Sequence, residues 1–249
     1  MAETFVFVHG AWLGAWCWDL VRPILEAKGH RTLALDLPGH GKSGQSIEGQ
    51  DIHTYAAYVA EVLRAQSEPV ILVAHSMGGM SASEAASMVP EKVKKLVYVT
   101  AFLPKDGQSN NYCEGDPNGI QPMDWKAVAH SGPGVNMNED ETVMWLDDAM
   151  AIGLLYNDLP EDKAKEACAL HGKETVAAPY TRVSLTPAFD TILKYYVRCT
   201  QDHILTPDIQ DKMLRATPVV RIFDIDSGHC PYLSRPEELA SILDEIAQA

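Results

Sequence analysis

The chain is poor in cysteine, in positive charge and in long apolar runs. Its five cysteines, Cys17, Cys113, Cys168, Cys199 and Cys230, are odd in number, scattered and without CxxC spacing. That pattern argues against a disulfide framework and against a zinc site. Twenty Lys and Arg stand against 34 Asp and Glu, a formal net charge of −14. Such a surface repels phosphate backbones and anionic membranes, so neither nucleic acid nor a membrane is an expected partner. No apolar run is long enough to span a bilayer. The opening MAETFVFVHG enters a strand-like segment without a basic and apolar leader. Both observations point to a cytoplasmic protein. No internal repeat or low-complexity tract is present.

What is there is a strand–helix alternation. FVFVH (5–9), RTLALDL (31–37), VILVAH (70–75), KLVYVTAF (95–102), LKYYVRC (193–199) and VVRIFDI (219–225) read as strands. They are nearly continuous apolar runs, as strands covered on both faces should be. Helical patterns fall between them at 16–29, 51–66 and 81–89, and at 236–249 after the last strand. Gly29 is a candidate C-cap, Asp51 a candidate N-cap, and Pro236 opens the final helix. The expected fold class is α/β, a mostly parallel sheet with helices on both faces. A chain of 249 residues can bury such a core without staples.

The alternation stops between Pro104 and Pro187. No strong strand is visible there. Loop-like pieces lead into helical ones (141–156 and 160–172), with Met123, Trp125, Met137, Met144, Trp145 and Met150 among them. So long an excursion from an α/β pattern suggests function rather than linkage. The expected organisation is a core of 1–103 and 187–249 with an inserted, mainly helical cap over 104–186. The cap's Met and Trp residues fit its own packing as well as they fit substrate contact.

VILVAHSMGG (70–79) carries the chemistry. A serine hydroxyl needs a base to take its proton, a third group to orient that base, and donors for a developing oxyanion. Ser76 sits where a strand should hand over to a helix, with Gly78 and Gly79 to let the helix backbone pass close by. This is the Gly-x-Ser-x-Gly turn with Ala74 at the first position, one added methyl. A serine that only caps the following helix is the plain alternative. That turn expects the order serine, acid, histidine. Of the nine histidines, His229 alone follows the last strand and precedes the terminal helix, at the sheet edge where sites collect. His75 adjoins Ser76 and should point away from it, as packing. For the acid, Asp202 in CTQDHILTP is preferred. Asp224 and Asp226 are rivals close along the chain to His229, and Asp190 lies at the wrong edge. The backbone N–H groups of Met77 and of Ala11, in the loop VHGAWLGAWCW, are the expected oxyanion donors. Gly10, Trp12, Leu103, Trp125 and Cys230 are candidate substrate contacts, although three tryptophans near a helix start (Trp12, Trp16, Trp18) equally suit core packing.

HG near the N-terminus, LDLPGHGKS, AHSMGG, QDHILTP and SGHCPYLSRPEEL together resemble the α/β-hydrolase superfamily, over nearly the whole chain except the cap. HGAWLGAWCWDLVRPILEAKGHRTLALDLPGHG is similar to the branch holding plant methyl-ester esterases, hydroxynitrile lyases and bacterial esterase relatives. The resemblance implies a cofactor-free and metal-free site under a helical cap. It implies Ser76, Asp202 and His229 as a triad, with Ala11 and Met77 as N–H donors. The lyases of this branch carry threonine beside the HG histidine and lysine after the catalytic histidine. Here those positions are Gly10 and Cys230, which favours a carboxylesterase acting on a small to medium, partly apolar ester. A lyase-like activity on the same scaffold and a ligand receptor with a vestigial triad are the alternatives. A homodimer is left open.

Overall fold

Residues 2–111, 119–121 and 123–249 are described by a computed structural model; Cys113 and most of the polar stretch around it lie outside them. β1 (Thr4–Val8) is buried because Phe5, Val6, Phe7 and Val8 are apolar toward both faces. After it the structure departs from the single helix expected over 16–29. A 3-10 turn covers Ala15–Trp18, and α1 is only Arg22–Ala27. Pro23 accounts for the break. Proline lacks an N–H and is tolerated only in a helix's first turn, so the helix begins beside it. β2 (Arg31–Ala34) is a half-exposed edge strand. α2 (Ile52–Arg64) starts at a capping box. Asp51 Oδ1 accepts from the Thr54 N–H at 2.8 Å, and Thr54 Oγ1 accepts from the Asp51 N–H at 2.9 Å. Then come β3 (Val70–Ser76), buried throughout, α3 (Gly78–Met88) and β4 (Val93–Ala101).

The cap holds short strands as well as its helices. It holds β5 (Ser109–Asn111) and β6 (Gly119–Gln121), paired with each other, and α4 (Trp125–Ser131). β7 (Val135–Met137) and β8 (Val143–Leu146) follow, then α5 (Asp148–Leu154), α6 (Glu161–Cys168) and β9 (Glu174–Thr175). β7, β8 and β9 form an antiparallel sheet. The apparent helix over 141–156 divides at Asp147, whose side chain accepts from the Met150 N–H at 2.8 Å and so caps α5. The residues before it, Val143-Met-Trp-Leu, are free to extend, and aromatic and β-branched side chains suit a pleated surface.

The chain returns to the core with β10 (Lys194–Cys199), α7 (Pro207–Ala216), β11 (Arg221–Ile225), α8 (Pro231–Ser234) and α9 (Pro236–Gln248). The six core strands lie in the order β11-β10-β4-β3-β1-β2, with every neighbouring pair parallel. α1 packs against α9, and α2 against α3. Parallel pairing sends the C-terminal ends of β1, β3, β4, β10 and β11 to one edge. That edge therefore collects the HGAW loop, Ser76, Thr100, Asp202 and His229. Among the described residues no helix is long and apolar enough to cross a membrane.

The β3–α3 turn depends on backbone approaching backbone. A Cβ on Gly78 would lie 2.3 Å from the His9 carbonyl oxygen, and one on Gly79 would lie 2.1 Å from that of Phe102. Neither neighbour is a flexible side-chain tip, so α3 or the flanking loops would have to move. Gly79→Ala is expected to cost about 1–3 kcal/mol of stability. Thermal denaturation should show a midpoint several degrees below wild type, and an unchanged midpoint would contradict this close packing.

Candidate active site

Ser76 is the last residue of β3 and has a left-handed backbone, φ 51°. A non-glycine residue holds that conformation only where its surroundings impose it. Here the Phe102 N–H donates to the Ser76 carbonyl at 3.0 Å, and Gly10 presses from the other side. A Cβ on Gly10 would lie 2.7 Å from the Ser76 Cβ, so any side chain there would collide with the serine.

His229 lies on the loop between β11 and α8 and is fully buried. Its Nδ1 pairs with Asp202 Oδ2 at 2.7 Å. With Nδ1–H donating to a carboxylate oxygen, Nε2 carries the lone pair. Among the described residues Nε2 has no hydrogen-bond partner, so the Ser76 hydroxyl is not bonded to it in this state. Such contacts often tighten only when substrate binds. Four donors converge on the Asp202 carboxylate. Oδ1 accepts from the N–H groups of Ile204 (2.7 Å) and Leu205 (3.0 Å), and Oδ2 accepts from His229 and from the Thr100 hydroxyl at 2.5 Å. Thr100 reaches it from a bulge. The β3–β4 register steps from His75–Val99 to Ser76–Ala101, leaving Thr100 as the extra residue, at φ 35°. The rival acids are engaged elsewhere. Asp224 pairs with Arg198, Asp226 accepts from Thr200 and Gln201, and Asp190 sits in the turn before β10.

His75 faces away from the serine hydroxyl's side and supports the histidine loop. Its Nε2 donates to the His229 carbonyl at 2.8 Å. Burial, and next the neighbouring His229 ring, hold its pKa well below the usual histidine value. The cap grips the same loops. Asp158 Oδ2 accepts from the Gly228 N–H at 2.8 Å and from the Ser227 hydroxyl at 3.1 Å, while Asn157 Nδ2 donates to the Gln201 carbonyl at 3.0 Å. Neighbouring cap residues thus hold the turn before His229 and the turn before Asp202.

A narrow cavity of about 20 Å³ adjoins Ser76. Ala11 and Met77 are in its wall, and neither backbone N–H donates to another described residue. Trp12 and Trp125 are also in the wall, with ring centroids 5.1 Å apart, edge to face. Phe102, Met144, Pro179 and Ile204 complete its apolar part. Three expected substrate contacts lie outside it: Gly10, which packs against the Ser76 Cβ behind the turn, Leu103 and Cys230. Leu103 is buried with its N–H directed at Met213 Sδ, and Cys230 is buried beneath the Tyr232 hydroxyl, 3.0 Å from its Sγ. Leu103 and Cys230 each follow a site element in sequence, but their side chains turn into the core. Trp18 is likewise core, packed on Phe7 and Tyr232. Conversely, Asn110, Asn111 and Gln121 line the cavity although their sequence reads only as polar loop. Thr100, Asn157 and Asp158 gave no sequence signal either. The described residues include one group able to hold a metal, Asp148, Cys168 and His171 in the cap, with ligand atoms within 4.8 Å of one another. None of the three is in the wall beside Ser76.

The HGAW loop rests on a buried polar cluster. His9 Nδ1 donates to the Gly10 carbonyl at 2.7 Å, and its Nε2 accepts from the Leu37 N–H at 3.1 Å. Burial, and next the His40 charge, lower the His9 pKa to about 3, so its ring is neutral. His40, from LPGHG, pairs with Glu174 of β9 at 3.1 Å, and Tyr55 donates to the same carboxylate at 2.8 Å. This contact ties the cap to the core.

The model of the alpha/beta hydrolase family matches residues 5–242. The chain is similar to Methylesterase 7 of Arabidopsis thaliana, 33% identical with 98% of this chain and 96% of the relative covered. It is similar to Methylesterase 9 of the same plant, 30% identical with 98% of each covered. Among solved structures it resembles a pyrethroid hydrolase from Sphingobium faniae JZ-2, with TM-score 0.83, 26% identity, and 100% of this chain and 98% of that chain covered. It shares its fold with polyneuridine aldehyde esterase, TM-score 0.81 at 23% identity, over 99% of this chain and 100% of that one.

The His40–Glu174 contact has a pH signature. Burial alone would lower the His40 pKa. The Glu174 carboxylate, and more weakly Asp36, outweigh it and raise the pKa above the usual 6.5. A raised folded-state value stabilises fully below the unfolded value and is lost as pH rises through the folded one. The difference in thermal midpoint between wild type and Glu174→Gln should therefore be largest near pH 6 and shrink above pH 8 (values set by a histidine reference of about 6.5). A difference that grows with pH would contradict this.

Proposed function

The chain belongs to the alpha/beta hydrolase family, in its plant methylesterase-like branch, and we propose that it is a serine carboxylesterase that works through an acyl-enzyme. The observation that carries this reading is the His229–Asp202 pair, buried, 2.7 Å long, with Nε2 left unpartnered at the edge where Ser76 stands.

In the proposed reaction His229 Nε2 takes the Ser76 proton as Oγ attacks the ester carbonyl carbon. The carbonyl oxygen becomes an oxyanion, held by the N–H groups of Ala11 and Met77. Its collapse breaks the C–O bond to the alcohol, which leaves with the proton from His229. Water, deprotonated by the same nitrogen, then attacks the acyl-enzyme and frees the acid. Asp202 keeps the imidazole oriented and stabilises its charged form while the proton is held. The protein supplies every group needed, so the reading requires no cofactor or metal. The relatives named methylesterase make small methyl esters the first substrates to try. The lyase alternative has little support. The residue after His229 is Cys230, whose thiol is buried away from the cavity and whose pKa burial raises well above the usual value.

Ser76→Ala should abolish turnover of a short chromogenic ester while the protein stays folded. Asp202→Asn should lower kcat by about 10⁴, because it spoils the tautomer. Steady-state rates on purified proteins with matched circular dichroism test both. Ester turnover that survives Ser76→Ala would refute the assignment. A single stoichiometric burst with no turnover would favour the receptor alternative.

A further inference from the structure

The cavity beside Ser76 is mostly apolar, yet three amide side chains from the cap enter it. Asn110 and Asn111 come from β5, and Gln121 from the paired strand β6, opposite Asn111. Asn110 is 3% and Asn111 1% exposed. Among the described residues Asn110 Oδ1 and both polar atoms of Asn111 have no hydrogen-bond partner, and neither has the indole nitrogen of Trp12, in the same wall. Buried polar groups left unpaired destabilise a fold, and most are satisfied. A wall that had only to exclude water would be built from leucine or valine.

The strands that carry these amides are held in place. Gln121 Nε2 donates to the Ile204 carbonyl at 2.9 Å, which ties β6 to the turn after Asp202. The Ser109 hydroxyl donates to the Asn111 carbonyl at 3.1 Å, which sets the backbone of β5. The unpartnered atoms are two acceptors on Asn110 and Asn111 and two donors on Asn111 and Trp12. Because both ends of the Asn111 amide are unpaired, a flip of that amide does not change the inventory.

We propose that Asn110, Asn111 and the Trp12 indole form a polar subsite for a hydroxyl group on the substrate, so that the ester this protein cleaves is a small hydroxylated one. The inference rests on the esterase reading above and narrows its substrate. A hydroxyl both donates and accepts, which the Asn111 amide requires. A carboxylate only accepts, would oppose two amide oxygens, and among the described residues would find no lysine or arginine in the wall. The narrow space of about 20 Å³ is room for roughly one water, so a larger ester fits as the cap side chains Trp125 and Met144 give way. A hydroxyl is also the smallest neutral group that fills a water-sized place.

Paired esters test this: methyl butyrate against methyl 3-hydroxybutyrate, and ethyl butyrate against 2-hydroxyethyl butyrate, so that the hydroxyl is carried on the acid or on the alcohol part. Wild type should prefer the hydroxylated member of one pair by roughly 10- to 100-fold in kcat/KM, the worth of one or two buried hydrogen bonds. Asn111→Leu should bring that ratio toward one and leave the thermal midpoint at or above wild type. If that variant does not fold, Asn111→Ala reads the same ratio. Ser76-dependent hydrolysis with equal rates within both pairs, or a preference that survives loss of the Asn111 amide, would overturn the subsite and leave the esterase reading intact. Turnover of every ester unaffected by Ser76→Ala, or no ester turnover at all, would overturn both.

Discussion

The site is held together by one tight crossing of main chains at the end of β3. Ser76 can stand at the sheet's edge only because its backbone turns left-handed and α3 leaves at once, with Gly78 against the His9 carbonyl and Gly79 against that of Phe102. That crossing fixes three neighbours together. The HGAW loop comes within reach of the serine, Phe102 is locked to the Ser76 carbonyl, and Met77 presents its N–H as the first donor of a helix start. Strain of this kind needs surroundings that over-determine it. Of the four non-glycine left-handed backbones among the described residues, Trp12, Ser76 and Thr100 touch the cavity or Asp202, and the fourth, Glu141, lies in the turn between β7 and β8.

A second layer of polar contacts converts position into orientation. Asp202 is saturated by two backbone N–H groups and the Thr100 hydroxyl, so its remaining bond, to His229, has a set direction. His75 holds the His229 backbone from below, and Asp158 of the cap holds it at Gly228. The cap therefore holds the turns that carry Asp202 and His229 and is not a cover alone. Glu174, between His40 and Tyr55, anchors its other end to the core. A movement of the cap that admits substrate would pull on the same turns that carry Asp202 and His229.

Much of this was legible in the residues, and the reason is physical. Buried parallel strands must be continuous apolar runs, so β1, β3, β4 and β10 could be read from Val, Ile, Leu, Phe and Tyr, and the half-exposed edge strands β2 and β11 from their β-branched and aromatic residues. The serine turn needs glycines at fixed offsets. The order serine, acid, histidine then leaves Asp202 and His229 at the right strand ends. What escaped was set by contacts distant in sequence. Thr100 reaches Asp202 through a bulge that no pattern announces. Asn110 and Asn111 read as loop because asparagine favours turns, yet here they lie in a short paired strand. Pro23 shortened a helix that periodicity alone extended, and Asp147 split another into strand and helix. Leu103 and Cys230, expected substrate contacts, are buried in the core outside the cavity wall, and Gly10 is outside it too, because which way a side chain points depends on packing that sequence position does not fix.

The central claim is that Ser76 is the activated nucleophile, made so by the pair at His229. The most direct test is covalent trapping with a fluorophosphonate, followed by intact mass and peptide mapping, on wild type and His229→Ala. The account predicts one adduct per chain on Ser76 in wild type, with labelling slowed by orders of magnitude in the variant. An adduct on another residue, or equal labelling rates in the two proteins, would contradict it.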